Sequence, residues 1–425
     1  MNVRPNHVVK PCYKDMVIDI NSIAVNQENL DTLFNMMYNR QMIWKRRFIN
    51  NQPAPWTDDE ILSKYKFCNL YRELDRSCQW EIRNILLIDQ PAVDVKNIVW
   101  KLMVYRTFNN PETFERAKDK WLSGIPAYDD YDENEFAEHI NSVRNAGINP
   151  FTNAYSIAGS VKPGDSIDDQ FTHTVIPNIH KSINAIMGMA EIATAPEQLI
   201  SFLMTLPSVS SFMAHEYYQD FTYIPIYTDM EFMKFDQNDY TNLGPGSNQG
   251  VKLIFPSLKP KERVRSFLTL QSIAADKLRE IGEANGDTEI YTSWDKDLGC
   301  YVMSDECNLT LNQIEGALCE FSKYYRIKHN AGNPRCPEFV PKTLAGIIAQ
   351  REDYAANEFI SNITQQEPRR RGRPSLAEQG GLRPYKHEST SSILLDIRDM
   401  LVSMNSKIDD LKEQLNNLKD VGDLC

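Results

Sequence analysis

Residues 34–76 read FNMMYNRQMIWKRRFINNQPAPWTDDEILSKYKFCNLYRELDR. Arg40, Lys45, Arg46, Arg47, Arg72 and Arg76 stand here among Tyr38, Trp44, Trp56, Phe67 and Tyr71. Two helical patterns flank a Pro-Ala-Pro-Trp-Thr-Asp turn. Pro55 suits entry into a helix, and Thr57 with Glu60 three residues on reads as a capping box. From Asp58 onward, Ile61, Leu62, Tyr65, Leu70 and Leu74 recur at roughly helical spacing, which predicts one helix over 58–76. On that helix Asn69, Arg72 and Arg76 fall at i, i+3 and i+7 and share a side. Two readings of this face stand. It is either a solvated charged surface over a core helix, or a set of guanidinium and amide groups that grips phosphate two oxygens at a time.

Working outward, helical patterns follow at 27–49, 78–89, 94–107 and 111–123, with Pro111 at a start position. Strand signals are confined to short stretches near 221–227, 250–256 and 289–303. The sequence therefore predicts a mainly α protein, with a lead-in at 1–26 and a single multi-helix domain at 27–345. Within that domain, 206–220 has the cadence of a hairpin followed by a helix. Residues 243–250 (LGPGSNQG) read as a glycine-rich loop whose Gly244 and Gly246 can present backbone N–H groups to a phosphate. Residues 314–326 read as a helix with Glu315, Cys319, Ser322 and Arg326 on one side, and 285–308 as an inserted loop or small hairpin.

Composition narrows the function classes. The 425 residues are 42% hydrophobic, and the longest apolar runs are far too short to span a bilayer, so no membrane partner is expected. No secretory leader opens the sequence, which predicts an intracellular protein, nuclear in a eukaryote or in the host cytoplasm for a virus. Eight scattered cysteines lack zinc spacing and are expected to be reduced. His173, His180 and His215 form no metal constellation, and each is expected to be structural. No P-loop, nucleophile elbow or Cys/His signature is present, so neither a P-loop kinase nor a cofactor is predicted. The net charge of −12 neither supports nor excludes DNA, because local positive charge decides phosphate binding.

Beyond the main domain, residues 361–392 have the composition of a disordered linker. Within 368–375 (PRRRGRPS) the core Arg371-Gly372-Arg373-Pro374 looks like an AT-hook. Its glycine lets the backbone lie deep in a narrow A·T minor groove, and the arginines reach along it. A nuclear-import signal or plain basic linker is the other reading. From 393 to 420, Leu394, Ile397, Leu401, Met404, Ile408, Leu411, Leu415 and Leu418 alternate at spacings of three and four, which predicts a coiled coil and a homo-oligomer.

A set of short blocks carries a family resemblance. They are Asn39-Arg40, Arg46-Arg47, Pro55-Trp56-Thr57, residues 67–75 (FCNLYRELD), 106–109 (RTFN) and 151–155 (FTNAY). Further along come Leu206-Pro207, Phe212-Met213-Ala214, Asp220, Gly244-Pro245-Gly246 and 318–324 (LCEFSKY). Together, over about 30–330, the chain resembles the α-glutamyl/putrescinyl thymine pyrophosphorylase family. The same helical domain is attached to 5-hydroxymethyluracil DNA kinases of bacterial viruses. The family is grouped with helix-hairpin-helix DNA glycosylases, so the resemblance implies an all-helical fold acting on a modified thymine in DNA. It implies a transferase that displaces pyrophosphate from a pyrophosphorylated hydroxymethyl group with an amine-type nucleophile. A separate kinase is then expected to supply the phosphorylated base. Ser208 and Ser210 stand where a helix-hairpin-helix carries glycines, which departs from the glycosylase pattern.

Such chemistry needs cations for the leaving phosphates, a proton acceptor and an unstacked base. The candidate phosphate and DNA ligands are Arg40, Arg46, Asn69, Arg72, Arg76, Gly244, Gly246 and Lys323. Asp75 and Asp220 are the candidate catalytic carboxylates, and Trp56 and Tyr71 the candidate base-stacking rings. For each of these a structural role, such as an Asp75 ion pair with Arg72 or Arg76, is the competing reading. For the whole chain the rival is a non-catalytic chromatin or DNA-binding protein that recognises modified or A·T-rich DNA.

Overall fold

A computed structural model of the chain describes residues 17–88, 94–152 and 166–331. The AT-hook-like stretch, the linker and the heptad segment lie outside the described residues.

The fold is mainly helical, as the periodicity predicts. Helix α1 (Gln27–Trp44) starts at Asn26, whose side chain accepts from the Asn29 amide, and it buries Leu30, Leu33, Phe34, Met37 and Met42. One wider turn (Lys45–Ile49) extends it, so the predicted span 27–49 is continuous. Lys45 in that turn is buried and paired with Asp287 at 2.7 Å and Glu289 at 3.0 Å.

The single helix expected over 58–76 is absent. Helix α2 is only Glu60–Lys64, and its cap is Asp59, which accepts from the Ile61 and Leu62 amides. Thr57 instead accepts from the Asp59 amide at 3.2 Å, so the Thr57/Glu60 capping box does not form. The chain leaves the helix at Tyr65 in an extended conformation. It re-enters helical turns at Arg72–Leu74 and in α3 (Arg76–Glu81), which widens into Ile82–Leu86.

The break has a physical cause. Asn69 and Asp75 offer the backbone an alternative to helix: Asp75 Oδ1 accepts from the Asn69 amide at 2.8 Å, and Asn69 Nδ2 donates to the Leu74 carbonyl at 2.8 Å. Arg40 satisfies the freed carbonyls of Phe67 and Cys68. Phe67, Leu70, Tyr71 and Leu74, at i, i+3, i+4 and i+7, are all buried, so the spacing that predicted a helix reported burial correctly although the backbone is not helical there.

Helix α4 (Val95–Phe108) is the central strut, buried at every position from Ile98 to Phe108. It packs against α8 (Ile176–Ile192) and α10 (Ser211–Tyr227). Short α5 (Pro111–Glu115) has its proline in the first turn, as predicted, but stops well before residue 123. Helix α6 (Glu133–Asn145), α7 (Ile167–Gln170), which runs through a wider turn into α8, and α9 (Pro196–Leu203) complete this half.

The expected hairpin-then-helix at 206–220 is the turn between α9 and α10, with Ser208 at φ 62°. The 221–227 strand signal belongs to α10, whose bulky residues are buried on nearly every side rather than alternately.

The second half is built on α11 (Pro245–Ile254), α12 (Arg265–Asn285) and α13 (Leu311–Lys328). The predicted helix at 314–326 lies within α13. Helix α11 corrects two expectations, since it occupies both the supposed glycine-rich loop and the supposed strand at 250–256. Its glycines serve close helix contact. A Cβ on Gly250 would stand 2.4 Å from the Leu318 carbonyl oxygen, and one on Gly246 2.4 Å from Cys319 Sγ. Between α12 and α13, β1 (Tyr291–Asp295) pairs antiparallel with β2 (Cys300–Ser304), which is the small hairpin foreseen at 285–308.

Candidate functional site

The segment between α2 and α3 crosses α13, and α1 closes the third side. Arg40 on α1 donates Nε to the Cys68 carbonyl at 3.0 Å and Nη2 to the Phe67 carbonyl at 3.2 Å, clamping the segment. From α13, Glu320 accepts from the Cys68 amide at 3.1 Å and from Lys323 Nζ at 2.7 Å. The Lys323 ammonium lies 5.2 Å from the centre of the Phe67 ring. These elements border a crevice that opens to solvent and whose enclosed space is about 10 Å³, room for about one water. Met36, Met37, Leu62 and Phe67 give it an apolar wall, and Arg40, Asn69 and Glu320 supply polar groups.

Joined to Asn69 through the hydrogen bond from its amide to Asp75, a line of alternating charges runs into the interior. Arg72 lies 3.7 Å from Asp75 and 3.5 Å from Glu216, and Glu216 lies 3.6 Å from Arg106. Arg106, 1% exposed, donates Nε to Asp220 Oδ2 at 2.7 Å and Nη2 to Glu81 at 2.8 Å, with a further contact to Asp220 Oδ1. Such a network holds only if each charge is matched, because an unpaired buried charge is costly.

Burial raises the Glu81 carboxyl well above its ordinary value against the pull of Arg106, with Asp220 raising it further. Burial likewise brings Asp220 to about 6 although Arg106 opposes the shift. Asp75 is raised by burial while Arg72, the Asn69 amide and Arg40 draw it down. For Arg72, burial acts downward, but Glu216 and its other anionic neighbours carry the guanidinium well above its usual range.

Glu315 stands at the edge of this line. The Arg72 side chain lies against Gly316, and Glu315 Oε1 is 3.6 Å from where a Cβ on Gly244 would be. Burial raises Glu315 to about 7, against lowering by Ser247 and Arg72.

Of the residues picked from sequence, Arg40, Asn69, Arg72, Asp75 and Lys323 converge on this neighbourhood. They do so through a loop and two helices, not through the shared helical face expected for Asn69, Arg72 and Arg76. Arg76 is exposed at the start of α3, and Arg46 Nη1 donates to the Trp56 carbonyl at 2.7 Å. Gly244 caps α11 and Gly246 lies against Cys319.

Both candidate stacking rings are buried against the chain. Tyr71 is 2% exposed and donates its hydroxyl to Asn308 at 2.6 Å. Trp56 is buried, with the Arg47 guanidinium 5.1 Å from its ring centre. Asp220 is fully buried and held at both carboxylate oxygens by Arg106.

The histidines do structural work: His173 meets Glu133, His180 the Tyr128 carbonyl, and His215 Asn312. Among the described residues Cys68, Cys78, Cys300, Cys307 and Cys319 are free thiols. Among the described residues, no helix is long and apolar enough to cross a membrane.

Sequence reasoning gave no role to Arg106, Glu81, Glu216 or Glu315. Arg106 carried a signal, being a charged residue in the otherwise apolar turn YRTF, where burial demands partners.

The family described as "5-hmdU DNA kinase, helical domain" matches residues 27–333. The chain belongs to this family. A 5-hmdU DNA kinase of Bacillus phage SP10 is 27% identical over 303 residues, covering 69% of this chain and 44% of that protein. The family member described here thus spans less than half the length of that curated relative. The relative is a bacterial-virus protein, which accords with the host-cytoplasm expectation and lends nothing to the nuclear one. No solved structure matches.

Proposed function

We propose that this helical domain modifies a thymine-derived base in DNA, displacing pyrophosphate from a pyrophosphorylated hydroxymethyluracil with an amine-type nucleophile. The amine nitrogen bonds to the exocyclic methylene, the carbon–oxygen bond breaks, and pyrophosphate leaves with the electron pair. Arg72 is the cation for the departing phosphates. Asp75, raised in pKa yet partly exposed, takes the proton that the amine sheds. Arg40, Asn69 and Lys323 line the approach. The surplus of carboxylates around Arg72 suits an incoming cationic amine. A separate kinase supplies the phosphorylated base. The Arg371–Pro374 hook adds minor-groove affinity, and residues 393–420 bring copies of the chain together for avidity.

The observation that carries this reading is the family match over 27–333 coinciding with the convergence of Arg40, Asn69, Arg72 and Asp75. The test incubates the purified chain with pyrophosphomethyl-uracil DNA and a pool of amines, then analyses the nucleosides by mass spectrometry. A new nucleoside that disappears with the Arg72→Ala, Asp75→Ala double variant supports the enzyme. Tight binding without product supports the rival reading, a non-catalytic protein that recognises modified DNA.

A further inference from the structure

Asn69 is held in one orientation. Its backbone amide donates to Asp75 Oδ1 at 2.8 Å and its Nδ2 donates to the Leu74 carbonyl at 2.8 Å. That second bond identifies which end of the side-chain amide is nitrogen and which is oxygen. The oxygen, Oδ1, is buried and has no hydrogen-bond partner. A buried acceptor left unmatched calls for a donor from outside the chain. Asn69 also lines the crevice whose wall is otherwise largely apolar. Beside it, Arg40 uses Nε and Nη2 on the Phe67 and Cys68 carbonyls, which leaves Nη1 available as a donor.

An acceptor next to a donor complements the imide edge of a uracil-type base, where N3–H donates and the adjacent carbonyl accepts. In that same pose a cytosine-type base sets its N3 acceptor against Oδ1 with no proton between them, and it pairs only by sliding so that N4–H meets Oδ1 and N3 meets the Arg40 donor. We infer that Asn69 selects uracil-type over cytosine-type bases, Oδ1 accepting the N3–H of a base seated in the crevice between α1, α13 and the 65–71 segment. This rests on the base-modification reading and assigns the determinant of its base specificity. Sites that hydrogen-bond a substrate group reject analogues lacking it far more strongly than apolar pockets reject a size change. The enclosed part of the crevice holds about one water, so a base seats only once the buried Met36 and Met37 side chains move aside. A lone water bound to Oδ1 is the competing occupant.

The test measures binding of the full chain to single-stranded oligonucleotides by fluorescence anisotropy. Each carries one 5-hydroxymethyldeoxyuridine, its N3-methyl derivative, or one 5-hydroxymethyldeoxycytidine, with the unmodified strand of the same sequence as the control. The wild type is expected to bind the first at least about tenfold tighter than the other two, and Asn69→Ala to bind all three alike. The N3-methyl probe keeps the test meaningful even where the variant folds poorly. Undiminished affinity for the N3-methyl base, or a uracil preference that survives in Asn69→Ala, overturns the inference and leaves Oδ1 to a water. Absence of any preference for the modified uracil over unmodified DNA overturns it together with the base-modification reading.

Discussion

Arg106 and Asp220 form a two-point ion pair inside the protein, with Nε donating to Oδ2 at 2.7 Å and Nη2 reaching Oδ1. The pair joins α4 to α10, and Nη2 of the same guanidinium also reaches Glu81. Removing the guanidinium leaves Asp220, Glu81 and Glu216 without their shared cation, whereas removing Asp220 leaves Arg106 its contacts to Glu81 and Glu216. Arg106→Ala is expected to cost about 3–5 kcal/mol and Asp220→Ala less. Arg106→Lys is expected to rescue little, since an ammonium cannot reproduce the fork. Urea denaturation of the three variants checks this.

Glu315 makes stability depend on pH in a defined direction. Its folded-state carboxyl, raised by burial to about 7, holds a proton more tightly than it does in the unfolded chain. As pH rises from its ordinary value near 4.5, the unfolded state ionises first, so stability falls until pH passes about 7. Asp220, brought by burial to about 6, adds to the lower part of that window. Glu315→Gln is expected to match wild type near pH 4 and to exceed it by on the order of 2 kcal/mol at pH 8. Thermal melts across that range test the sign.

Gly250 fits because nothing larger does. Its Cβ position lies 2.4 Å from the Leu318 backbone carbonyl, which cannot swing aside as a side chain would. Gly250→Ala is expected to cost about 1–3 kcal/mol by forcing α11 off α13. Calorimetry measures this, and an unchanged melting temperature would remove the close-packing account of these glycines.

The tail makes a separate prediction. Arg371→Ala with Arg373→Ala is expected to weaken binding to A·T-rich duplex far more than to G·C-rich duplex, because the narrow groove concentrates negative potential. Titrations on the two duplexes at one salt concentration decide it. Equal losses would leave only non-specific charge.

Much of the fold was legible because periodicity reports burial. Helices α1, α4 and α13, and the hairpin at 291–304, stand where their patterns put them. The reading failed where local hydrogen bonds outweighed periodicity. Asn69 and Asp75 break the helix predicted over 58–76, and no spacing rule shows that Arg40 would catch the exposed carbonyls. It failed again at 243–250, where glycines that suggest a loop serve instead to bring two helices together. Part of the candidate neighbourhood was picked out from the sequence. Arg40, Asn69, Arg72 and Asp75 were singled out, although for a face of a helix that does not exist. Glu216 went unnamed and Glu315 was noted only as part of a helix side, because their interaction with Arg72 joins residues remote in sequence.

The central claim is that Arg72 and Asp75 carry a displacement reaction at a base held beside them. Its most direct test follows pyrophosphate release from pyrophosphomethyl-uracil DNA as amine concentration is raised, in wild type, Arg72→Ala and Asp75→Asn. The expected result is amine-dependent release by the wild type, reduced at least about a hundredfold in each variant. Full release by both folded variants, or none by the wild type with any amine, would contradict it.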